Sequence, residues 1–543
     1  MREMSVSRQR PVRTRNSSGI VIESMEAREL LSASINASGW TVITPPVGAK
    51  VVYASSSTGN DKNSGLSPSS PVKTLAKGES LLRNNSGDEL LLKSGDSWSE
   101  TFGTWKLSGA SAQSPIVIGS YGTGARPRIL SGTLAGFLIS NVAVNNLSVM
   151  GINFDASGRD PTLTSTPAKS TSPTGFDVLG PASNILVENC EFQYYAINMN
   201  FQNYWGAVNN VSVRRNIDVN SYAFNGHSEG LYALGVHGLN LYGNVFDQDG
   251  YNNALGAWPN IYNHDAYISS ENTGVVVSDN VFSRASATGL QARAGGIITN
   301  NLFVNNPVGL TYGLVNGANA TPGGVTGSIT GNVFMGGGSI GSTMMGIGVE
   351  IGNIKPGAGL LVSNNIFSTG VANSGPAIEL TNGSGQLNPS QLVGINDVTI
   401  SHNTIYNWRE GIVIIGGLKA GGTGVNALNR LTIASNQFDN IPGLAVNQSS
   451  SYLSQEHWSG NVYYKANLFL VDLKHAAPIG TILSSPIPFV APTRSVTSYD
   501  QSIGGPGSIG DLMTLESRQS EAAWNTKLDA LSIVSYISGG FAP

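Results

Sequence analysis

Apolar and polar positions along the middle of the chain repeat one six-residue pattern. It reads apolar or aromatic, two variable residues, usually Asn, one variable residue, then aromatic or aliphatic. The pattern recurs in VENCEF (187–192), LYGNVF (241–246), VSDNVF (277–282), ITNNLF (298–303), ITGNVF (329–334), VSNNIF (362–367), ISHNTI (400–405), IASNQF (433–438) and WSGNVY (458–463). The segment VRRNID (213–218) fits except for Asp218 at its last position.

The marked fourth positions are unevenly spaced. From Cys190 to Asn461 the intervals are 26, 28, 36, 21, 31, 33, 38, 33 and 25 residues. A β-solenoid tolerates such variation because its loops differ in length between strands, so the pattern predicts the coils of a parallel β-helix. Alternate strand residues share a face, and Val275 and Val277 are therefore predicted to point inward. The asparagines are predicted to form a ladder at a turn, with Cys190 as a small buried hydrophobe in the same row.

With these repeats the chain resembles the right-handed parallel β-helix proteins of the pectate-lyase-like superfamily. Three segments near the start, 51–78, 90–100 and 114–129, are similar to the first coils of those proteins. The resemblance covers about residues 50–470 and implies an all-β fold built as a single right-handed parallel β-helix. That superfamily includes lyases, hydrolases, epimerases and adhesins, so the resemblance implies the fold and leaves the chemistry open.

The composition changes at both ends of the predicted solenoid. Residues 1–45 begin with a basic stretch followed by IESMEARELLSA, which resembles a Leu-Glu-Pro-Arg type export leader with Met25 and Ala27 in place of leucine and proline. We therefore expect a secreted or cell-surface protein, with the β-helix over 46–477. Residues 478–543 are predicted to form a proline-rich strap and then an amphipathic helix over 511–531, covering an open solenoid end.

Charge and cysteine content exclude several classes of protein. The formal net charge is −4, only 12% of residues are charged, and basic residues do not cluster beyond the first fifteen positions, so nucleic acid is not an expected partner. A single cysteine cannot form an intramolecular disulfide. No run of 18 apolar residues predicts a membrane span, and nothing in the sequence indicates an oligomeric state.

The strand after each marked turn yields a predicted outward strip. Residues 227–293 combine three of the six histidines with Asp265, Glu229, Arg293 and several tyrosines. The residues predicted to bind a polysaccharide on this strip are Tyr232, Trp258, Gln291, His227, Glu229 and Glu350. The exposed faces of the aromatic residues are suited to stacking on sugar rings.

β-Elimination on a uronate is the chemistry that the strip slightly favours. It requires a group that neutralises the substrate carboxylate, a base and an acid. Arg293 is the predicted partner of the carboxylate, with His264 or Tyr267 as base or acid and Asp265 orienting the histidine. A lysine base is disfavoured because no lysine lies between Lys169 and Lys355.

Residues 170–354 hold four arginines and eleven acids, a net charge of −7 that would repel a uronate chain unless Ca²⁺ bridged the two. Asp247 and Asp249 are the candidate ligands of such an ion, although a simple turn explains the same residues.

Two other functions stay open at this stage. A glycoside hydrolase needs two carboxylates, for which Asp265 with Glu229, or Glu350 with Glu379, are candidates. A non-catalytic adhesin needs only a polar groove and aromatic side chains.

Overall fold

The computed structural model describes residues 34–314, 320–370, 375–382, 389–415, 417–448, 450–468 and 480–542. Most of the predicted leader, residues 1–33, lies outside this part of the chain. The described chain begins with a small antiparallel pair, Ser34–Ile35 with Thr41–Val42. Within the described residues, no helix has both the length and the apolar character needed to cross a membrane.

Three parallel strand ladders run along the rest of the chain, so the predicted all-β parallel β-helix is confirmed. Sheet 1 consists of Val51–Ala54, Glu89–Lys93, Ile116–Tyr121, Val144–Met150, Ala182–Glu188, Val208–Arg214, Val236–Tyr242, Val276–Ser278, Gly296–Thr299, Gly327–Thr330, Leu360–Ser363, Val398–Ser401, Leu431–Ala434 and Glu456–Ser459. Sheet 2 consists of Ser97–Trp98, Arg128–Leu130, Asn153–Asp155, Glu191–Gln193, Ile217–Val219, Val245–Asp247, Val281–Ser283, Leu302–Val304, Val333–Met335, Ile366–Ser368, Thr404–Tyr406, Gln437–Asn447, Val462–Leu468 and Thr481–Ile482.

Sheet 3 carries the predicted outward strip. Its strands are Phe137–Ile139, Thr174–Val178, Ile197–Gln202, Glu229–Leu234, His264–Ile268, Thr288–Ala292, Val308–Tyr312, Ile347–Ile351, Pro376–Leu380 and Glu410–Ile414, which ends against Gln437–Asn447. Each coil thus passes through sheets 1, 2 and 3 in turn and climbs by one strand spacing, about 4.8 Å.

Several short strands and helices lie outside the three sheets of the solenoid. A hairpin pairs Ser339–Ile340 with Thr343–Met344, and a small sheet joins Ile395–Asn396, Ala427–Asn429 and Lys419–Ala420. The α-helices are Leu75–Ser80, Val496–Ser502, Ile509–Glu516 and Ala530–Ser538. The 3-10 helices are Asn253–Leu255, Pro389–Gln391, Gly424–Asn426, Ser450–Gln455, Glu521–Ala523 and Thr526–Leu528.

The asparagines of the repeat form the predicted ladder. Asn332 shows the pattern: its Oδ1 accepts from both the backbone N–H and the side-chain amide of Asn301, and Asn332 donates in the same way to Asn365. The row continues through fully buried asparagines from Asn216 to Asn461. Buried amides are thereby satisfied without water at every coil.

A second row, of stacked phenylalanines, fills the interior beneath sheet 2. Successive rings lie 5.1 Å apart from Phe282 to Phe303 and 4.6 Å apart from Phe303 to Phe334, nearly parallel in both cases. The row is interrupted at Asp218, which occupies the register position between Phe192 and Phe246 and is fully buried. The departure from the repeat in VRRNID is therefore a carboxyl group inside the core.

The C-terminal segment packs along the side of the solenoid. Three short helices replace the single helix predicted over 511–531, and Leu515 and Leu531, two residues of the predicted apolar face, are 38% and 49% exposed. The helices cover the outer face of sheet 2, where Leu512, Ile533 and Ile537 bury the outward aliphatic side chains of its strands. The prediction that this segment closes an open end of the solenoid is wrong. The helices instead cover the apolar outer face on the side of sheet 2.

The N-terminal and C-terminal segments meet at one arginine. The Arg215 guanidinium lies 4.6 Å from the ring centroid of Trp40 and 5.1 Å from that of Trp524, and the two indoles contact edge to face at 5.0 Å. Arg215 also donates to the backbone carbonyl of Ser38. We call this contact the tryptophan clasp.

Candidate active site

One row of outward side chains runs along sheet 3 in strict register. Each member lies directly beside the next on the neighbouring coil. The row is Asp177, Asn200, Tyr232, Tyr267, Gln291, Thr311, Glu350 and Glu379. We call it the sheet 3 row; it contains Tyr232, Tyr267, Gln291 and Glu350 at the outward positions predicted for them.

Tyr267 and Arg293 form the most direct polar contact of the predicted site. Arg293 follows the strand one coil further on, and its Nη1 donates to Tyr267 Oη at 2.5 Å. The guanidinium carbon also lies 4.8 Å from the centre of the Tyr267 ring, and Tyr232 packs on that ring edge to face at 5.0 Å. Burial raises the pKa of the Tyr267 phenol, while the charge of Arg293 offsets part of the rise.

Gln291 joins this pair to His264. With its amide nitrogen toward the imidazole, Gln291 donates to His264 Nε2 at 2.8 Å and accepts from Arg293 Nη2 and Nε at 3.2 and 3.3 Å. His264 is only 4% exposed, and burial together with the charge of Arg293 lowers its pKa to about 3. The imidazole is therefore neutral and weakly basic at neutral pH, which suits an acceptor that orients Gln291.

Glu229 supports His264 from the preceding coil. Its Oε2 accepts from the backbone N–H of His264 at 2.8 Å, and its Oε1 lies 3.9 Å from Nδ1 of the exposed His227. Glu229 is only 1% exposed, and burial raises its pKa well above the ordinary value. This carboxyl group lies buried at the edge of the site, with the exposed His227 on its solvent side.

Asp265 does not face the groove, and its predicted orientation toward solvent is wrong. It is fully buried, in register with Gly230, and a Cβ at Gly230 would lie 2.8 Å from Asp249 Oδ2 and 3.1 Å from Asp218 Oδ1. The side chains of this column therefore point into the solenoid, and Asp265 cannot orient the imidazole of His264 from there. Asp265 and Ala266 are both fully buried, so side chains do not simply alternate across this strand as the prediction assumed.

Three carboxyl groups consequently share the interior. Asn198 Nδ2 donates to Asp218 Oδ1 at 2.5 Å and reaches Asp249 Oδ1 at 3.4 Å, while no normal hydrogen bond reaches either carboxylate oxygen of Asp265. Burial raises the pKa of all three aspartates well above the ordinary value. Repulsion from Asp218 and Asp265 adds to the rise for Asp249, and repulsion from Asp247 and Asp218 adds to the rise for Asp265. This cluster was missed from the sequence, although Asp218 at an aromatic position of the repeat was its signal.

The predicted calcium ligands do not converge. Asp247 points outward and forms a two-point ion pair with Arg284, at 2.8 and 2.5 Å, whereas Asp249 points inward to the backbone N–H of Ser221. The intervening Gln248 has a left-handed backbone with φ of 60°, which turns the two side chains apart. In the described ranges, no group of three or more His, Cys, Asp or Glu residues is arranged to hold a metal ion.

Two carboxyl groups stand side by side further along the sheet 3 row. Glu350 and Glu379 are register partners, and Thr311 Oγ1 donates to Glu350 Oε2 at 3.0 Å. Burial and the neighbouring Glu350 raise the pKa of Glu379 to about 7, and burial also raises that of Glu350. One of the two is thus protonated near neutral pH.

Loops with exposed aromatic side chains border the row on both sides. Trp258 is 68% exposed and Tyr262 61% exposed, in the loop that leads into His264. Tyr204 and Trp205, 70% and 49% exposed, follow the opposite edge of the sheet. Loops with exposed aromatic rings therefore flank the sheet 3 row at both ends of its strands.

Comparisons with known proteins show distant structural similarity. The sequence matches no protein-family profile, and a search of curated proteins finds no match. Among solved structures, the chain is similar to a GH136 lacto-N-biosidase from Eubacterium ramulus, with 14% identity, a TM-score of 0.32, and coverage of 76% of this chain and 64% of that one. A variant of the PL6 family alginate lyase AlyGC has 14% identity, a TM-score of 0.46 and coverage of 76% and 52%.

The pectate lyase Pel9A has 13% identity, a TM-score of 0.30 and coverage of 76% and 81%. The chain thus spans less than two thirds of the length of the lacto-N-biosidase and the alginate lyase. What identifies the chain as a parallel β-helix protein is its own three strand ladders.

Proposed function

We propose that this protein is an exported enzyme that cleaves a polysaccharide by β-elimination in the groove along sheet 3. The observation that carries the proposal is the contact between the Arg293 guanidinium and the Tyr267 hydroxyl, held by Gln291 and His264. It supplies, within one coil spacing, a cation for a uronate carboxylate and a hydroxyl that can exchange a proton.

In this proposal Arg293 binds the carboxylate of the substrate and acidifies the adjacent C5 proton. Tyr267, as the phenolate, takes that proton; the C4–O bond breaks as the C4–C5 double bond forms. The tyrosine then passes the proton to the leaving oxygen and is ready for another cycle. Arg293 favours the phenolate, because a cation close to an ionisable hydroxyl stabilises its charged form.

The other predicted residues take supporting roles. His264 and Gln291 are positioning residues, since they hold the orientation of the guanidinium through 2.8 and 3.2 Å hydrogen bonds. Tyr232, Trp258 and His227 border the groove and bind sugar rings. Ca²⁺ could bridge an acidic substrate to the net negative charge of residues 170–354, and adding the ion to the assay tests this role.

Glycoside hydrolysis is the second candidate, and one observation favours it. Glu350 and Glu379 are adjacent in register, with the pKa of Glu379 near 7. A retaining glycosidase uses two carboxyl groups about 5–5.5 Å apart, one of them protonated as general acid.

The discriminating experiment is a screen of the purified protein on acidic and neutral polysaccharides, with and without calcium. Unsaturated uronate absorbance and reducing ends are followed in parallel. The proposal expects both signals to rise together and to be lost in Tyr267→Phe. Reducing ends alone, lost in Glu379→Gln, would establish hydrolysis, and binding without either product on the whole panel would establish an adhesin.

A further inference from the structure

Among residues 170–354, positive charge reaches the sheet 3 row at one point. Four arginines and no lysine lie between residues 170 and 354. Three of the arginines are engaged away from sheet 3: Arg214 with Glu188, Arg215 with Trp40 and Trp524, and Arg284 with Asp247. Arg293 is therefore the one guanidinium of this span that serves the sheet 3 row.

On the N-terminal side of Arg293, the row is rich in amides and holds one carboxyl group, Asp177. Beyond the two tyrosines, Gln202 donates to Asn200 Oδ1 at 2.9 Å, and Asn200 donates to Asp177 at 2.6 Å. Burial raises the pKa of the Asp177 carboxyl. Amides and aromatic faces match the hydroxyls and ring faces of a neutral sugar, and they offer no positive charge to pair with a carboxylate.

On the C-terminal side, the row is acidic. Thr311 donates its hydroxyl hydrogen to Glu350, and Glu379 follows on the next coil. The Thr311 hydroxyl is thus already engaged with a carboxyl group of the protein. A substrate carboxylate placed here would meet two carboxyl groups in a half-buried setting, where like charges repel strongly.

From this distribution we infer that the substrate is a heteropolysaccharide whose uronate residues are separated by neutral sugars, and not an unbroken polyuronate. The inference rests on the proposed function, because it assigns Arg293 to the reacting uronate. The neighbouring positions along the row then receive neutral residues, on the amide side through Asn200 and Gln202 and on the acidic side through hydrogen bonds to Glu350 and Glu379.

The test compares kcat/KM on two substrate classes at equal uronate concentration, by the absorbance of unsaturated product. One class carries single uronates spaced by several neutral sugars, as gellan does; the other is polygalacturonate and alginate. We expect a preference of at least about 100-fold for the chains with spaced uronates, which corresponds to the repulsion of one added like charge. Equal or better cleavage of the polyuronates would overturn the inference while leaving β-elimination intact.

Substitutions in the protein test the same inference. Glu350→Gln combined with Glu379→Gln removes the two acidic groups and should shift the ratio of kcat/KM toward polyuronates by about tenfold. Glu410→Gln, an acid of the same sheet outside the row, is the matched control and should leave the ratio unchanged. A ratio that does not move in the double variant overturns the inference. Absence of unsaturated product from every uronate substrate rejects the proposed elimination and the inference with it.

Discussion

Arg293 donates to the hydroxyl of Tyr267 from the next coil of the solenoid, at 2.5 Å and within reach of its ring face. The two residues are 26 positions apart in the chain, and a parallel ladder brings them together because successive strands of sheet 3 are in exact register. Removal of the Tyr267 hydroxyl should lower kcat/KM by about 10²–10⁴-fold, the usual contribution of a general acid or base. The measurement is the initial rate of unsaturated product with Tyr267→Phe, with melting temperature to show that the variant is folded.

Arg293→Lys should also be severely impaired, although it keeps the charge. The planar guanidinium contacts Tyr267 and Gln291 simultaneously, which an ammonium group cannot do with the same geometry. We expect a loss of roughly 100-fold or more in kcat/KM on a uronate substrate. Activity within a few-fold of the native protein would show that only a point charge is needed.

The proton transfer assigned to Tyr267 predicts an alkaline activity profile. Burial raises the pKa of this phenol above its ordinary value of 10, so the phenolate is scarce at neutral pH and becomes more abundant as pH rises. The value of kcat/KM should then rise by about tenfold per pH unit between about pH 6 and 9. A flat profile in that range, with the protein folded throughout, would exclude tyrosine as the base.

Stability should change with pH in the opposite direction. Asp218, Asp249, Asp265 and Glu229 have folded-state pKa values well above those of the unfolded chain, because burial disfavours their charged forms. The folded protein therefore holds protons that the unfolded chain releases above about pH 4, and stability is greatest near that pH and falls as pH rises toward the folded-state values. The melting temperature should be lower at about pH 8 than at about pH 5 by several degrees.

Asp265→Asn tests how much one of these buried carboxyl groups contributes to the pH dependence of stability. The amide removes a buried carboxyl that no normal hydrogen bond reaches, so it should raise the melting temperature at alkaline pH and flatten its pH dependence. At about pH 4.5 the variant should differ little, since the native side chain is protonated there. An unchanged pH dependence would mean that Asp265 does not titrate in the folded protein.

The asparagine ladder predicts a large cost for a small truncation. Asn332→Ala leaves the Asn301 backbone N–H and side-chain amide without their acceptor and removes the side-chain donor to Asn365. The free energy of unfolding should fall by about 3 kcal/mol, the cost of a few buried groups left unpaired. Chemical denaturation measures it, with Ala at the exposed Asn253 as the control.

Regular features of the fold were readable from the sequence, and departures from regularity were not. The repeat predicted the asparagine ladder and the outward positions of Tyr232 and Tyr267, because hydrogen bonding and strand alternation act on each residue locally. Asp265 escaped this reasoning because it and the next strand residue, Ala266, are both fully buried, so the alternation fails there. The glycines at the same column in neighbouring coils, Gly230 and Gly289, show that side chains have little room at this position.

The candidate site was likewise predicted in its regular features and missed in its irregular ones. Arg293 and Tyr267 were predicted to lie one coil apart, and they do. The role of Gln291 between His264 and Arg293 depends on side-chain orientation, which no sequence pattern reports. The C-terminal helices could be anticipated as apolar segments, but their docking place depends on the aliphatic outer face of sheet 2, which exists only once the coils have formed.

The tryptophan clasp imposes an order of events on the folding chain. Trp40 and Trp524 close on Arg215 from opposite ends of the sequence, so this contact forms only after the last helices have been synthesised and have settled on sheet 2. The coils themselves need only their neighbours and can grow progressively as the chain emerges. The clasp thus works as a completion step, and the coils just before the strands of the proposed site gain their final reinforcement only in a protein whose synthesis has reached its C-terminal segment.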